Sequence, residues 1–231
     1  MTTTTLPSPE VIAALREFDS ATISNAIEHF RVRDQTAAYA SRELVCQFPD
    51  YKPMVGYALT CTADTTTAGD KRPMHLHAMF DLMTQLPKPI VIVVQYVGPD
   101  RLRSCLSGDL FGLTAQKLGA AGLVTDCSNR DKEGIRRNAP GYQVFCPGWV
   151  VSHGYGVYMD YGITVSVGGL TVRQGDLLHG DANGLVQVPL EIVDGLVQQA
   201  KATLTEEAQI LEYLKSPHVD LEGIKRRIGR D

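Results

Sequence analysis

The run Pro89-Ile90-Val91-Ile92-Val93-Val94 constrains the fold of this chain more than any other stretch. It is too short for a helix and too apolar to face water on either side, so it predicts a strand over Ile90 to Tyr96 buried on both faces. Helical patterns flank it. Met74, Ala78, Met79 and Leu82 form a stripe over residues 74–85 that Pro87 and Pro89 end. Leu110, Leu113 and Leu118 share one face of a second helix, which Gly119 and Gly122 close before a strand over Gly122-Leu123-Val124-Thr125. Helix and buried strand in alternation indicate an α/β protein with a largely parallel sheet.

The flanking regions have other textures. Pro9 to Phe30 reads as two short helices, the first capped by Ser8 and the second started by Asp19 or Ser20, packing on the rim. Gly56 to Ala63 is β-rich and predicts an early strand, with a loop from Thr65 to Arg72. From Tyr142 to Pro189, short β-like runs punctuated by glycine predict a second, mostly antiparallel or mixed sheet. Val193, Leu196, Val197, Ala200, Leu204 and Leu211 then lie on one stripe of a long terminal helix. No Pro-, Ser- or charge-rich linker divides the chain, so residues 1–231 are read as one domain, with a frayed start over 1–8 and a helical C-terminal segment over 191–231.

Composition narrows the function. A formal net charge of -4 argues against nucleic acid as a partner, because phosphate binding needs clustered Lys and Arg. The one basic cluster, Lys225-Arg226-Arg227, reads as the solvated side of a tail helix. No apolar run reaches the length of a membrane span. Met1 to Thr5 has neither the basic start nor the apolar centre of a signal peptide, so the expected location is the cytoplasm. The 5 cysteines include no CxxC pair and read as small buried hydrophobes in a reducing compartment.

The chemistry-bearing residues are Gly108 and Asp109 at the start of the second helix, and Arg130 and Asp131 after the strand that follows it. Arg130 can fork onto a carboxylate or enolate oxygen, and Asp131 offers a hard oxygen ligand to a divalent cation. The first-turn amides beyond Asp109 are unpaired donors that suit an anion, and Gly108 allows a tight turn and a close backbone approach. Singly, each has an ordinary reading: Asp109 as a helix cap, Arg130 with Asp131 as a surface ion pair of little energetic weight. Their placement at equivalent ends of adjacent βα units makes convergence natural.

With these motifs the chain resembles the class II 4-hydroxy-4-methyl-2-oxoglutarate and 4-carboxy-4-hydroxy-2-oxoadipate aldolases and the regulator-of-ribonuclease-activity-A-like proteins. The likeness also includes FDSATISNAIE at 18–28 and VGGLTVRQGDLLHGDANGLVQVP at 167–189, and spans nearly the whole chain. It implies a three-layer β/β/α fold related to swivelling domains, in homotrimers or homohexamers with a site shared between subunits. It implies Mg²⁺ or Mn²⁺ held largely through Asp131 and water, with a small 2-oxo acid as substrate. Arg130 would bind its pyruvyl oxygen, while amides near Leu110, Phe111 and Gly112 receive its carboxylate. Asp109 would hold a metal-bound water or assist proton transfer. An acidic residue from a neighbouring subunit's C-terminal helix would complete the site, with Glu206 the first choice and Glu207 the second. The implied reaction is retro-aldol cleavage to pyruvate, with oxaloacetate decarboxylation through the same enolate; the alternative is a non-catalytic regulator that binds ribonuclease machinery.

Departures from the family pattern bear on substrate more than metal. Cys127 stands where many relatives have glycine, Asn25 where an aspartate is common, and Glu133 only near an acidic position after the Arg-Asp pair. Other chemistries are weaker. Lys117 and Lys132 flank the site and read as solvated rather than Schiff-base lysines. His75 and His77 point to different faces of a helix. His153 and His179 fall in glycine-rich turns and could contact substrate, though lone surface histidines are the commoner case, and Ser152-His153 lacks a nucleophile elbow.

Overall fold

The computed structural model describes residues 6–68 and 76–228. Helix α1 (Pro9–Leu15) is capped by Ser8, whose hydroxyl accepts from the Val11 N–H, and α2 (Ser20–Glu28) by Asp19, which accepts from the Thr22 N–H at 2.7 Å. Strands β1 (Val45–Cys46) and β2 (Met54–Asp64) follow, then α3 (Leu76–Gln85), β3 (Ile90–Tyr96), α4 (Asp109–Lys117), β4 (Ala120–Thr125), α5 (Lys132–Asn138) and β5 (Gln143–Cys146). The predicted start of α3 at Met74, and His75, lie outside the described residues, as does the frayed end at Met1 to Thr5.

Strands β2, β3, β4 and β5 are parallel neighbours, joined by α3, α4 and α5. Alternation along β3 divides the core. Ile90, Ile92 and Val94 pack with Met79, Met83, Ala115 and Ile135 of the helices, whereas Val91 and Val93 pack on the opposite face. That face is covered by a hairpin of β7 (Val165–Val167) and β8 (Leu170–Val172), giving the three layers β/β/α. The expected second sheet over 142–189 reduces to this hairpin. The remaining strands there, β5, β6 (Val157–Tyr161), β9 (Leu177–Asp181) and β10 (Gly184–Val188), extend the main sheet. One edge of β2 pairs with β3, while its other edge takes β9 on its first half and β6 on its second. Alternating short strands specify a face but not a partner, which is why sequence alone misplaced them.

Helix α6 (Val193–Lys215) lies with α1 and α2 over β9 and β10, burying Val193, Leu196 and Ala200 against Val55, Tyr57 and Leu177. Leu204 and Leu211, from the same predicted stripe, are exposed. Helix α7 (Leu221–Ile228) ends the described chain and carries Lys225-Arg226-Arg227 on its exposed side, with the Arg227 guanidinium over the Tyr213 ring.

Two residues differ from expectation. His179 lies inside β9 and is wholly buried, with Nδ1 3.0 Å from the Ser20 hydroxyl and Nε2 3.1 Å from the Leu15 carbonyl; burial pulls its pKa below the usual imidazole value. It pins α1 and α2 to the sheet. Gly119, at φ 94°, alone closes α4, whereas Gly122 sits within β4. A Cβ at Gly122 would lie 2.5 Å from both the Gln143 carbonyl oxygen and the Met54 sulfur. Gly122→Ala is therefore expected to destabilise the fold by about 1–3 kcal/mol through overpacking. A urea melt reads this, and an unchanged midpoint would contradict so tight an approach of β5.

Candidate active site

The loops after β3 and β4 are stitched together by backbone. The Leu106 N–H donates to the Ser128 carbonyl at 2.9 Å and the Arg130 N–H to the Ser107 carbonyl at 3.0 Å, while the Ser107 hydroxyl donates to Asn129 Oδ1 at 2.7 Å. Asn129 is fully buried, and its backbone pairs with Gly148 and Val150. Ser107 and Asn129 thus fix the positions from which Gly108 and Arg130 project. Both were passed over in the sequence, where each reads as a loop residue beside a stronger motif.

Arg130 and Asp131 share one cavity of about 300 Å³ with Gly108, Asp109, Leu110 and Phe111. Arg130 Nε lies 3.3 Å from Asp131 Oδ2, both side chains being partly exposed. Asp131 adopts a left-handed backbone, φ 61°, and forms no cap bond to α5, so its carboxylate is aimed by the turn rather than spent on the helix. Gly108 has φ -132°, which any residue adopts; glycine is needed there for space. A Cβ would overlap Asp131 Oδ2 and sit 3.2 Å from Arg130 Nε.

Asp109 begins α4 and turns toward α5. Its Oδ1 accepts from the Leu110 N–H and its Oδ2 from Asn138 Nδ2, both at 2.8 Å. Of the three amides expected to receive a carboxylate, those of Leu110 and Phe111 belong to residues lining the cavity. Gly112 does not line it: it is buried, and its N–H donates to the Gly108 carbonyl at 3.0 Å as the first helical bond. The floor is apolar, with the Phe111 and Tyr158 rings stacked at 5.8 Å.

The opposite wall, Leu76 and the segment His153 to Gly156 before Tyr158, was not assembled from sequence. Thr65 ties it to the first wall: its carbonyl accepts from the Tyr155 N–H at 2.8 Å and its hydroxyl from the Cys105 N–H at 3.1 Å. Cys105 also lines the cavity, but burial raises its thiol pKa to about 11, so it is no nucleophile at neutral pH. Cys127 is wholly buried, its pKa raised to about 12 by desolvation.

Neither lysine reaches the cavity. Lys132 Nζ lies 5.8 Å above the Trp149 ring, and Lys117 is exposed at the end of α4. Glu206 is exposed on α6, outside the cavity of its own chain, and Glu207 accepts from Asn25 Nδ2 at 3.3 Å. Asn25 thus has a structural partner. Glu133 is exposed in the first turn of α5. A larger cleft of about 520 Å³ lies beside Arg33 and Arg173, but the Arg33 guanidinium is already donated to the Gln187 carbonyl at 2.6 Å.

The family model described as RraA-like, Aldolase/RraA, matches residues 20–187. The chain belongs to this family. Within the RraA-like family it is 33% identical over 115 residues to a Halalkalibacterium halodurans protein provisionally named a 4-hydroxy-4-methyl-2-oxoglutarate aldolase, covering 48% of this chain and 51% of that one. It is 30% identical over 141 residues to protein DlpA of Legionella pneumophila, covering 60% of this chain and 22% of that one. The chain thus spans well under two thirds of these relatives' lengths. Among solved structures, an uncharacterized protein from Pseudomonas syringae superposes with a TM-score of 0.74 at 22% identity, over 98% of this chain and 97% of that one. RraAS2 of Streptomyces coelicolor, a member of the RNase ES inhibitor RraA family, superposes with a TM-score of 0.66 at 21% identity, over 91% and 99%. These superpositions establish the fold. No helix among the described residues is long and apolar enough to cross a membrane.

Proposed function

We propose that this protein is a divalent-metal-dependent lyase that cleaves a 4-hydroxy-2-oxo acid, of the 4-hydroxy-4-methyl-2-oxoglutarate or 4-carboxy-4-hydroxy-2-oxoadipate type, to pyruvate, and that it also decarboxylates oxaloacetate. The observation that carries this reading is the pairing of Arg130 and Asp131 in one cavity at the start of α4. A guanidinium and a carboxylate so placed suit a chelating 2-oxo acid better than a protein partner, which would require neither.

The donors fit a hard cation. Asp131 offers a carboxylate unspent on capping, and among the described residues no group of three or more His, Cys, Asp or Glu side chains converges. One carboxylate with water and substrate oxygens is how Mg²⁺ is commonly held, and Mn²⁺ accepts similar oxygen ligands. When bound there, such an ion supplies Lewis acidity toward the 2-oxo and carboxylate oxygens. Arg130 places a fixed positive charge where the 2-oxo oxygen gains negative charge as the C3–C4 bond breaks. The first turn of α4 at Phe111 receives the substrate carboxylate, the Leu110 N–H being held by Asp109 Oδ1, with Gly108 leaving room. Asp109, with both oxygens bonded, orients this turn and its water. Glu206, free on the outer face of α6, is the residue to reach a neighbouring subunit's cavity in a homotrimer or homohexamer.

Pyruvate release from 4-hydroxy-4-methyl-2-oxoglutarate and from oxaloacetate with Mg²⁺, followed by a coupled lactate dehydrogenase assay, tests this directly. Both substrates are expected to yield pyruvate, with activity abolished by EDTA and restored by Mg²⁺ or Mn²⁺. No pyruvate from either would overturn the reading in favour of a non-catalytic regulator of ribonuclease activity, and turnover that survives EDTA would overturn the metal.

A further inference from the structure

We propose, on the lyase reading above, that His153 is the base that takes the proton from the C4 hydroxyl when the C3–C4 bond breaks. His153 stands on the wall formed by residues 153–158, lining the same cavity as Arg130 and Asp131. Its Nδ1 is 2.7 Å from the Gly154 carbonyl oxygen. A carbonyl can only accept, so Nδ1 carries the hydrogen, and in the neutral ring Nε2 is left as a bare acceptor. The turn is held in place: the Gly154 N–H donates to the Ser152 hydroxyl at 3.2 Å, and Gly154 and Gly156 have φ 58° and 59°. A side chain at Gly154 would run into the Thr65 carbonyl.

Four other titratable groups of the cavity have partners or are buried. Asp109 accepts a bond on each oxygen, and Asp131 faces the Arg130 guanidinium. The Tyr158 hydroxyl donates to the Leu106 carbonyl at 2.8 Å, and Cys105 is a buried thiol. Tyr155 is exposed beside His153, and Asp100 and Arg103 line the adjoining cleft behind the turn.

In the step, the C4 O–H bond breaks and its proton passes to Nε2, C4 becomes a carbonyl, and the C3–C4 electron pair moves into the pyruvate enolate. The imidazolium, or water, then returns a proton to C3. Oxaloacetate loses carbon dioxide to the same enolate without a hydroxyl proton to remove, so it does not need this base.

His153→Gln and His153→Ala are compared with wild type on both substrates, with thermal melts to verify folding. General-base loss typically costs about 10²-fold or more. Cleavage of 4-hydroxy-4-methyl-2-oxoglutarate is therefore expected to fall about 100-fold relative to oxaloacetate decarboxylation. Equal losses on both substrates, or cleavage unchanged, overturn the base while leaving the lyase reading intact; a wild type inactive on both overturns both. ¹⁵N NMR of the wild-type imidazole reads the premise without turnover: an Nδ1–H tautomer is expected at neutral pH, and an Nε2–H tautomer rejects the assignment.

Discussion

Arg130→Ala is expected to lower kcat for pyruvate release about 10²- to 10³-fold, the loss typical when one preorganised donor to a developing oxyanion is removed. In barrier terms this is about 2.7–4 kcal/mol. The side chain is partly exposed and pairs with the partly exposed Asp131, so the fold should survive its removal. Arg130→Lys restores the charge but not the planar fork, and should recover only part of the rate. Near wild-type turnover in Arg130→Ala would remove Arg130 from the chemistry.

Gly108→Ala is expected to be almost as damaging by a different route. The added methyl group overlaps Asp131 Oδ2 and crowds Arg130 Nε, so the Asp131 carboxylate must move from its place beside the guanidinium. A displacement of about 1 Å at a catalytic constellation can cost about 10²-fold in rate. The backbone at Gly108 is ordinary extended chain, and α4 starts there without a side-chain cap to lose. The melting temperature should therefore stay near wild type while kcat/KM falls. A variant that keeps full activity would mean that Arg130 and Asp131 need not stand together, and one that unfolds would mean that Gly108 serves the backbone after all.

Much of the fold was legible because periodicity and punctuation agreed. The strand expected at Ile90 to Tyr96 is β3, and the helix expected around Leu110 and Leu113 is α4, although Leu110 is exposed and Leu118 is its C-cap. Ser8 and Asp19 cap the helices assigned to them. What could not be read was partnership across long separations. Strands β9 and β10 look like members of a separate sheet until β2 is seen to pair with β9 along the edge opposite β3. His179 looked like a turn residue because glycines surround it, yet its pleat position turns it into the interior. For the site, the Arg-Asp pair and Gly108 stood out, since chemically specific residues sit at consecutive βα corners. The wall bearing His153 did not, because the hydrogen bonds from Tyr155 and Cys105 to Thr65 that bring it there leave no spacing in the sequence. Gly112 was grouped with its neighbours by the family resemblance, and the first helical bond to Gly108 takes its amide out of reach.

The shared grip of Arg130 and Asp131 on a pyruvyl group is tested most directly by a crystal structure with Mg²⁺ and oxalate, a planar mimic of the pyruvate enolate. The account predicts the cation on the Asp131 carboxylate, one oxalate oxygen within hydrogen-bond distance of the Arg130 guanidinium, and the other end against Leu110 and Phe111. Oxalate and metal bound elsewhere, with Arg130 and Asp131 untouched, would contradict it.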